Sequence, residues 1–249
     1  APDPVGTGFS GRPRGLEHSM RGTALRVLRL ADQLGLNSLD LLGTSRGGPV
    51  AMAAAAECIS RGQPRVRRLV LVCPANPYSA HGRWLAPFFG TRLGAAMFRF
   101  AMNRMPLLFP FGHGRLYADR KKIPPESLEG YKAPLAVPGL FETALSIVGT
   151  WTADLRELEA LLPKLAQVPT LLMWGSKDPA VYASSMPPLA RHFANVQTVV
   201  FPGIGHLPYE ECPEEFNRAL IDFLRGQGAG ASGQWSMISD PRSVRIIGQ

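Results

Sequence analysis

From residue 23 to 34, Leu25, Leu28, Ala31 and Leu34 recur at helical spacing, and Gly35 supplies a stop. A short apolar run beginning at Leu39 then ends in Gly43-Thr44-Ser45-Arg46-Gly47, and an alanine-rich helical run follows it to residue 53. This predicts strand, sharp turn and helix, with one serine at the apex. The stretch 67–73 carries a short, continuously apolar run, closed by Pro74, with the character of a buried strand. Residues 169–174 and 197–201 read as two more strands. The helical stretch 186–193 lies between them and a last helix covers 214–224. Strands alternating with helices imply an α/β fold: a mostly parallel sheet covered by helices on both faces. The pattern breaks between 78 and 151. This stretch is rich in Phe, Leu, Met, Gly and Pro, lacks strand alternation, and has helical character at 97–105 and 141–148. The expected organisation is therefore a core in two parts, 1–77 and 152–225, a helical cap at 78–151, and a Gly/Ser-rich mobile tail at 226–249. Phenylalanines and methionines of the cap are candidates to line an apolar substrate site.

Composition narrows the function classes. An apolar fraction of 45% over 249 residues supports one sizeable core. The formal charge of +8 comes from basic residues spread along the chain, with a modest concentration between Arg83 and Lys132. They form no block interleaved with aromatics, so nucleic acid is not an expected partner. A solvated basic surface is the ordinary reading, and weak contact with an anionic membrane surface is the alternative. Cys58, Cys73 and Cys212 are an odd set with no metal-ligand spacing, expected as reduced thiols of a cytoplasmic protein. The first residues, Ala1-Pro2-Asp3-Pro4, have neither the basic start nor the apolar core of a secretory leader, and no apolar run approaches membrane-spanning length. No metal or cofactor is implied.

The chemistry gathers at loops that leave predicted strands. A serine at a strand-to-helix apex takes a strained backbone conformation, so its neighbours two before and two after, Gly43 and Gly47, are expected to need small side chains. A serine nucleophile requires a base, and the base an orienting carboxylate. His206 sits in a glycine-flanked loop directly after the predicted strand 197–201. His18, His81, His113 and His192 lie in polar loops or on a helix face, where a solvated side chain is the default. Asp178 follows the strand 169–174 in a short turn, whereas Asp154 and Asp222 are expected on helix surfaces. The order Ser45, Asp178, His206 suits three loops converging at the C-terminal edge of one sheet.

Four motifs in that order resemble the α/β-hydrolase superfamily, in its cap-bearing group of esterases, carbon–carbon bond hydrolases and dehalogenase relatives. Residues 3–10 (Asp-Pro-Val-Gly-Thr-Gly-Phe-Ser) resemble the family's loop after its fourth strand, with Val5 where proline is usual. Residues 43–48 resemble its nucleophile elbow, 174–178 (Trp-Gly-Ser-Lys-Asp) its acid loop, and Gly205-His206 with Glu211 and Pro213 its histidine segment. The resemblance, spanning about residues 3–225, implies a Ser45–His206–Asp178 triad, an oxyanion donor at the Arg46 backbone N–H, and a small apolar ester or ketone substrate. It also implies that about the first quarter of the family fold, with its first strands and the second oxyanion donor, lies outside this sequence. Dehalogenases and epoxide hydrolases of the family carry aspartate at the elbow, so Ser45 points to ester hydrolysis through an acyl-enzyme. The alternatives are hydrolysis of a C–C bond beside a carbonyl in ring-cleavage products, or a truncated fold of impaired activity.

Overall fold

The computed structural model describes residues 1–79, 86–89 and 91–226; the expected tail from 227 onward and His81 lie outside them. Four strands form one parallel sheet, in the order β1 (Leu39–Thr44), β2 (Val66–Val72), β3 (Thr170–Gly175) and β4 (Val196–Phe201). All six residues of β3 are buried, as is Leu69–Val72 of β2, because helices cover both faces. α2 (Gly47–Ser60) follows β1 and packs against β1, β2 and α1 (Met20–Gln33). Ala51 and Ala53–Ala56 let its backbone approach closely, and all are buried. Trp174, Phe201, Leu171, Leu172 and Leu189 fill the core, each large side chain contributing about 1.5–3 kcal/mol of burial. Trp174 keeps its one polar atom satisfied, donating from Nε1 to the Val181 carbonyl at 2.8 Å.

Helix ends differ from the periodicity where caps decide them. α1 starts three residues before the predicted position because the Ser19 hydroxyl accepts from the Gly22 N–H. The predicted helix 186–193 is regular only as α8 (Met186–Ala190); i→i−3 bonds from His192 and Phe193 then tighten the chain and turn Phe193 into the core. After the single turn α9 (Pro208–Glu211), α10 (Pro213–Leu224) is the last helix of the described chain. Its last carbonyls, of Phe223 and Leu224, accept from the Arg68 guanidinium.

Between β2 and β3 the chain is helical: α3 (Ala86–Phe89), α4 (Arg92–Asn103), α5 (Met105–Gly114), α6 (Ser127–Lys132) and α7 (Leu140–Leu161). The stretch expected as one helix at 97–105 is divided between α4 and α5 at Arg104, with a proline in the first turn of α5. α7 is far longer than the predicted 141–148 and runs unbroken past residue 151. Its second half buries Leu155 and Leu158 in the core. Among the described residues no single helix is long and apolar enough to cross a membrane.

Three polar residues expected at the surface are buried, because side chains and backbone of other segments pack around them. The Asp154 carboxylate, 5% exposed, accepts from the Met20 N–H at 3.1 Å and the Thr150 hydroxyl at 2.8 Å. His18 packs its ring over Gly6, where a Cβ would come within 2.1 Å of its Cε1. His113 is enclosed by Phe109, Tyr117 and Tyr131, with Nε2 3.2 Å from the Ser127 hydroxyl. His192 is half-buried and stacks on Tyr78.

Candidate active site

The C-terminal ends of β1, β2 and β3 stand side by side, with Thr44 paired to Val72 and Val72 to Met173. The next residue on the first of these, Ser45, has φ = 49°, and the next on the second, Cys73, has φ = 43°. Among the described residues these two are the non-glycine positions in the left-handed region. The sheet over-determines both: the Ser45 N–H donates to the Val72 carbonyl and the Cys73 N–H to the Met173 carbonyl, each at 2.9 Å. Such strain persists where surrounding structure enforces it. The turn is tight at Gly43, where a Cβ would lie 2.2 Å from the Gly47 carbonyl oxygen, and at Gly48, where it would meet the Pro74 side chain at 2.4 Å. Gly47, expected to need a small residue, has open space beside it. The second close approach is therefore one position later than the motif suggests, because Pro74 follows the strained Cys73.

Asp178 leaves β3 in a turn that its own carboxylate organises. Oδ1 accepts from the Ala180 and Val181 N–H groups at 2.8 and 2.9 Å, which leaves Oδ2 to bind His206 Nδ1 at 2.8 Å. Both side chains are buried. With the Nδ1 proton held by Asp178, Nε2 is the basic nitrogen of the ring. The His206 loop is fixed on both sides: its N–H donates to the Leu116 carbonyl at 2.7 Å, and the neighbouring Gly205 N–H donates to Glu211 Oε2 at 2.8 Å. Buried Glu211 also accepts from the backbone of Ala118 and Asp119, so it ties the histidine loop to the chain leaving α5. Tyr209, three residues after His206, places its phenol beside the Thr44 hydroxyl, which makes no hydrogen bond of ordinary geometry. The histidine segment thus reaches the elbow. The Ser45 hydroxyl is not hydrogen-bonded to His206 among the described residues: the structure joins Asp178 to His206 directly and places Ser45 at the end of β1, with β2 between that strand and β3.

Arg46 begins α2. Its backbone N–H has no acceptor among the described residues, while its guanidinium turns inward and donates to the His18 carbonyl. Burial lowers its pKa, an effect opposed by the nearby Asp154 charge. A cavity of about 530 Å³ opens beyond His18, between residues 12–18 and the start of α7, and its lining is mixed: Arg12, Glu17, His18, Glu142 and Ser146 stand beside Pro13, Leu16 and Pro138. No phenylalanine or methionine of the cap lines it. Of the residues expected to line an apolar site, Met97 and Phe100 are exposed, and Phe98 packs between Phe89 and Phe141.

Cys73 Sγ, one Asp178 oxygen and one His206 ring nitrogen lie within 4.8 Å of one another. Burial, and after it the Asp178 charge, push the Cys73 thiol well above its usual range. It is therefore protonated, which makes it a poor metal ligand. Sequence reasoning missed Cys73, and it also missed a network around Glu210. The Glu210 carboxylate accepts from the hydroxyls of Ser127 (2.6 Å), Tyr131 (2.7 Å) and Tyr117. Burial alone would raise its pKa, but these donors outweigh it and hold the carboxylate below its ordinary value. The partners are 79 to 93 positions apart, so no local pattern announces them.

Burial lowers the pKa of both His18 and His113. The Arg26 and Arg46 charges add to the effect at His18, and Glu210 partly offsets it at His113. Each histidine is neutral in the fold and takes up a proton more readily when unfolded. Below the unfolded value of about 6.5 the unfolded state binds more protons, so stability falls as pH drops through that region. His113→Gln, which keeps a polar partner for Ser127, is expected to flatten this part of a denaturation-against-pH profile. An unchanged slope would refute the assignment for His113.

Parallel strands ending in a strained serine, an aspartate turn and a histidine loop follow the plan of an α/β hydrolase. The sequence model described as the alpha/beta hydrolase family matches residues 1–219, and the chain belongs to that family. It is 29% identical over 236 residues to a 2-hydroxymuconate semialdehyde hydrolase of a Pseudomonas species, covering 93% of this chain and 77% of that one. It is 28% identical over 235 residues to haloalkane dehalogenase 2 of Mycobacterium tuberculosis, covering 89% and 77%. Among solved structures, a thermophilic esterase from Thermogutta terrifontis superposes with a TM-score of 0.67 at 27% identity, covering 90% of this chain and 78% of that one.

Proposed function

We propose that this hydrolase cleaves a carboxylic ester through an acyl-enzyme on Ser45. The observation that carries the reading is the buried 2.8 Å Asp178–His206 hydrogen bond, which leaves Nε2 as the ring nitrogen free to act as a base. Ser45 Oγ attacks the ester carbonyl as His206 Nε2 takes its proton, and Asp178 stabilises the imidazolium that forms. The Arg46 N–H, at the positive end of α2, donates to the oxyanion. Collapse of the tetrahedral intermediate expels the alcohol, which receives the proton from His206. Water then repeats the sequence in reverse and frees the acid. Dehalogenation is not proposed despite the similarity to haloalkane dehalogenase 2, because the elbow carries serine rather than the aspartate expected for that chemistry.

The relative named 2-hydroxymuconate semialdehyde hydrolase supports a second reading, C–C bond hydrolysis with the same three residues. That substrate class bears a carboxylate, and the guanidinium next to the candidate nucleophile, that of Arg46, is already directed at the His18 carbonyl. The ester reading is therefore preferred. Intact-mass analysis after treatment with a fluorophosphonate should give one adduct on this chain and none on Ser45→Ala. No adduct on either would refute the reading and point instead to an impaired hydrolase fold. An adduct together with turnover of a ring-cleavage dienone, and no ester hydrolysis, would favour the second.

A further inference from the structure

α4 is apolar on two opposite sides. Gly94, Phe98 and Met102, four residues apart, turn toward the body, where Phe98 packs between Phe89 and Phe141. Leu93, Met97 and Phe100 fall within about 60° of one another on the other side, at 100° per residue, and are 65%, 53% and 61% exposed. The spacing continues through Arg104 into α5, where Leu107, Leu108 and Phe111 are 81%, 54% and 60% exposed. A helix of a globular protein ordinarily buries one apolar stripe and leaves the other side polar. A contiguous exposed stripe of large side chains marks an interaction surface.

The charge beside the stripe identifies the partner. Seven basic residues and one acid lie between Arg92 and Lys122. None of the seven cations forms an ion pair among the described residues, although the core pairs Arg61, Arg65 and Arg67 with acids. Arg104 sits 3.8 Å above the Phe100 ring, and Arg115 and Arg120 lie within 6 Å of the Phe111 ring, so cations and aromatics occupy the same face. Leucine and phenylalanine bordered by arginine and lysine on a shallow helical surface have the composition of an element that lies in a bilayer interface. Apolar side chains enter the acyl boundary while cations meet anionic headgroups.

We propose that the outer face of α4 and α5 docks on an anionic phospholipid bilayer. This inference concerns binding alone and stands whether or not Ser45 is a nucleophile. The test is flotation of the full chain with vesicles of phosphatidylcholine, or of phosphatidylcholine mixed with phosphatidylglycerol, at low and high salt. Binding is expected to the mixed vesicles only and to weaken with salt. Lys121→Gln with Lys122→Gln should lower the affinity about fivefold for each lysine removed. Leu107→Ser with Phe111→Ser should abolish flotation while leaving the circular dichroism melt unchanged, since both side chains are exposed. The proposal is overturned by failure to float with the mixed vesicles, by equal flotation with both vesicle types, or by undiminished flotation of the two double variants. It is also overturned if light scattering finds a dimer that Leu107→Ser with Phe111→Ser dissociates, because the stripe would then join two copies of the chain.

Discussion

Asp178→Asn is expected to cut ester turnover about 10⁴-fold while the protein stays folded, the scale of loss when the orienting carboxylate of such a triad is neutralised. The carboxylate does two things at once in this structure. Oδ1 accepts two backbone N–H groups, and an asparagine oxygen in its place would keep them. That choice leaves the amide NH₂ facing His206 Nδ1, where Oδ2 now accepts. The ring must then present a lone pair at Nδ1 and carry its proton on Nε2, the tautomer that cannot accept from Ser45. Steady-state kinetics should show the loss in kcat, with the urea midpoint close to that of the parent. A variant that retains more than a tenth of the parent's turnover would remove Asp178 from the mechanism.

The second large effect is structural. Gly175→Ala places a Cβ 1.9 Å from the Gly205 carbonyl oxygen and 2.4 Å from that of Ile204. No side chain can rotate away to make room, because both contacts are backbone. The acid loop and the histidine loop are packed main chain to main chain there, and the Lys177 N–H donates to the Ile204 carbonyl at 2.9 Å. Separating them should cost about 3 kcal/mol of stability, the upper range for overpacking. It should also cost on the order of 10²-fold in kcat, since His206 is displaced relative to Asp178. Gly47→Ala is the matched control. Its Cβ meets open space at the first position of α2, so stability should change by less than about 1 kcal/mol. Equal destabilisation by the two substitutions in urea unfolding would refute the steric account.

Much of this was legible along the chain because local rules govern it. Buried parallel strands are short continuous apolar runs, and all four were placed within a few residues. Ser45, Asp178 and His206 each follow such a run directly, so their convergence on one sheet edge followed from topology alone. Elsewhere local rules misled. Glycine at position 47 was assigned a steric role that belongs to Gly48, because the obstacle, Pro74, arrives from the neighbouring strand end. Asp154, His18 and His113 are polar residues in polar or helical surroundings, and only partners more than a hundred positions away, or a ring stack inside the insert, bury them.

The sequence by itself determined the alternating fold, the order of its three candidate catalytic groups and the family to which the chain belongs, because strand burial, turn chemistry and motif spacing are properties of adjacent residues. Tertiary structure alone decided that Asp178 and His206 share a hydrogen bond, that Glu210 and Glu211 anchor the histidine segment to the helical insert, and that the apolar residues of α4 and α5 divide between an inward and an outward face. Those outcomes depend on which distant surfaces meet, and a helical period records how many faces are apolar without recording what each one finds.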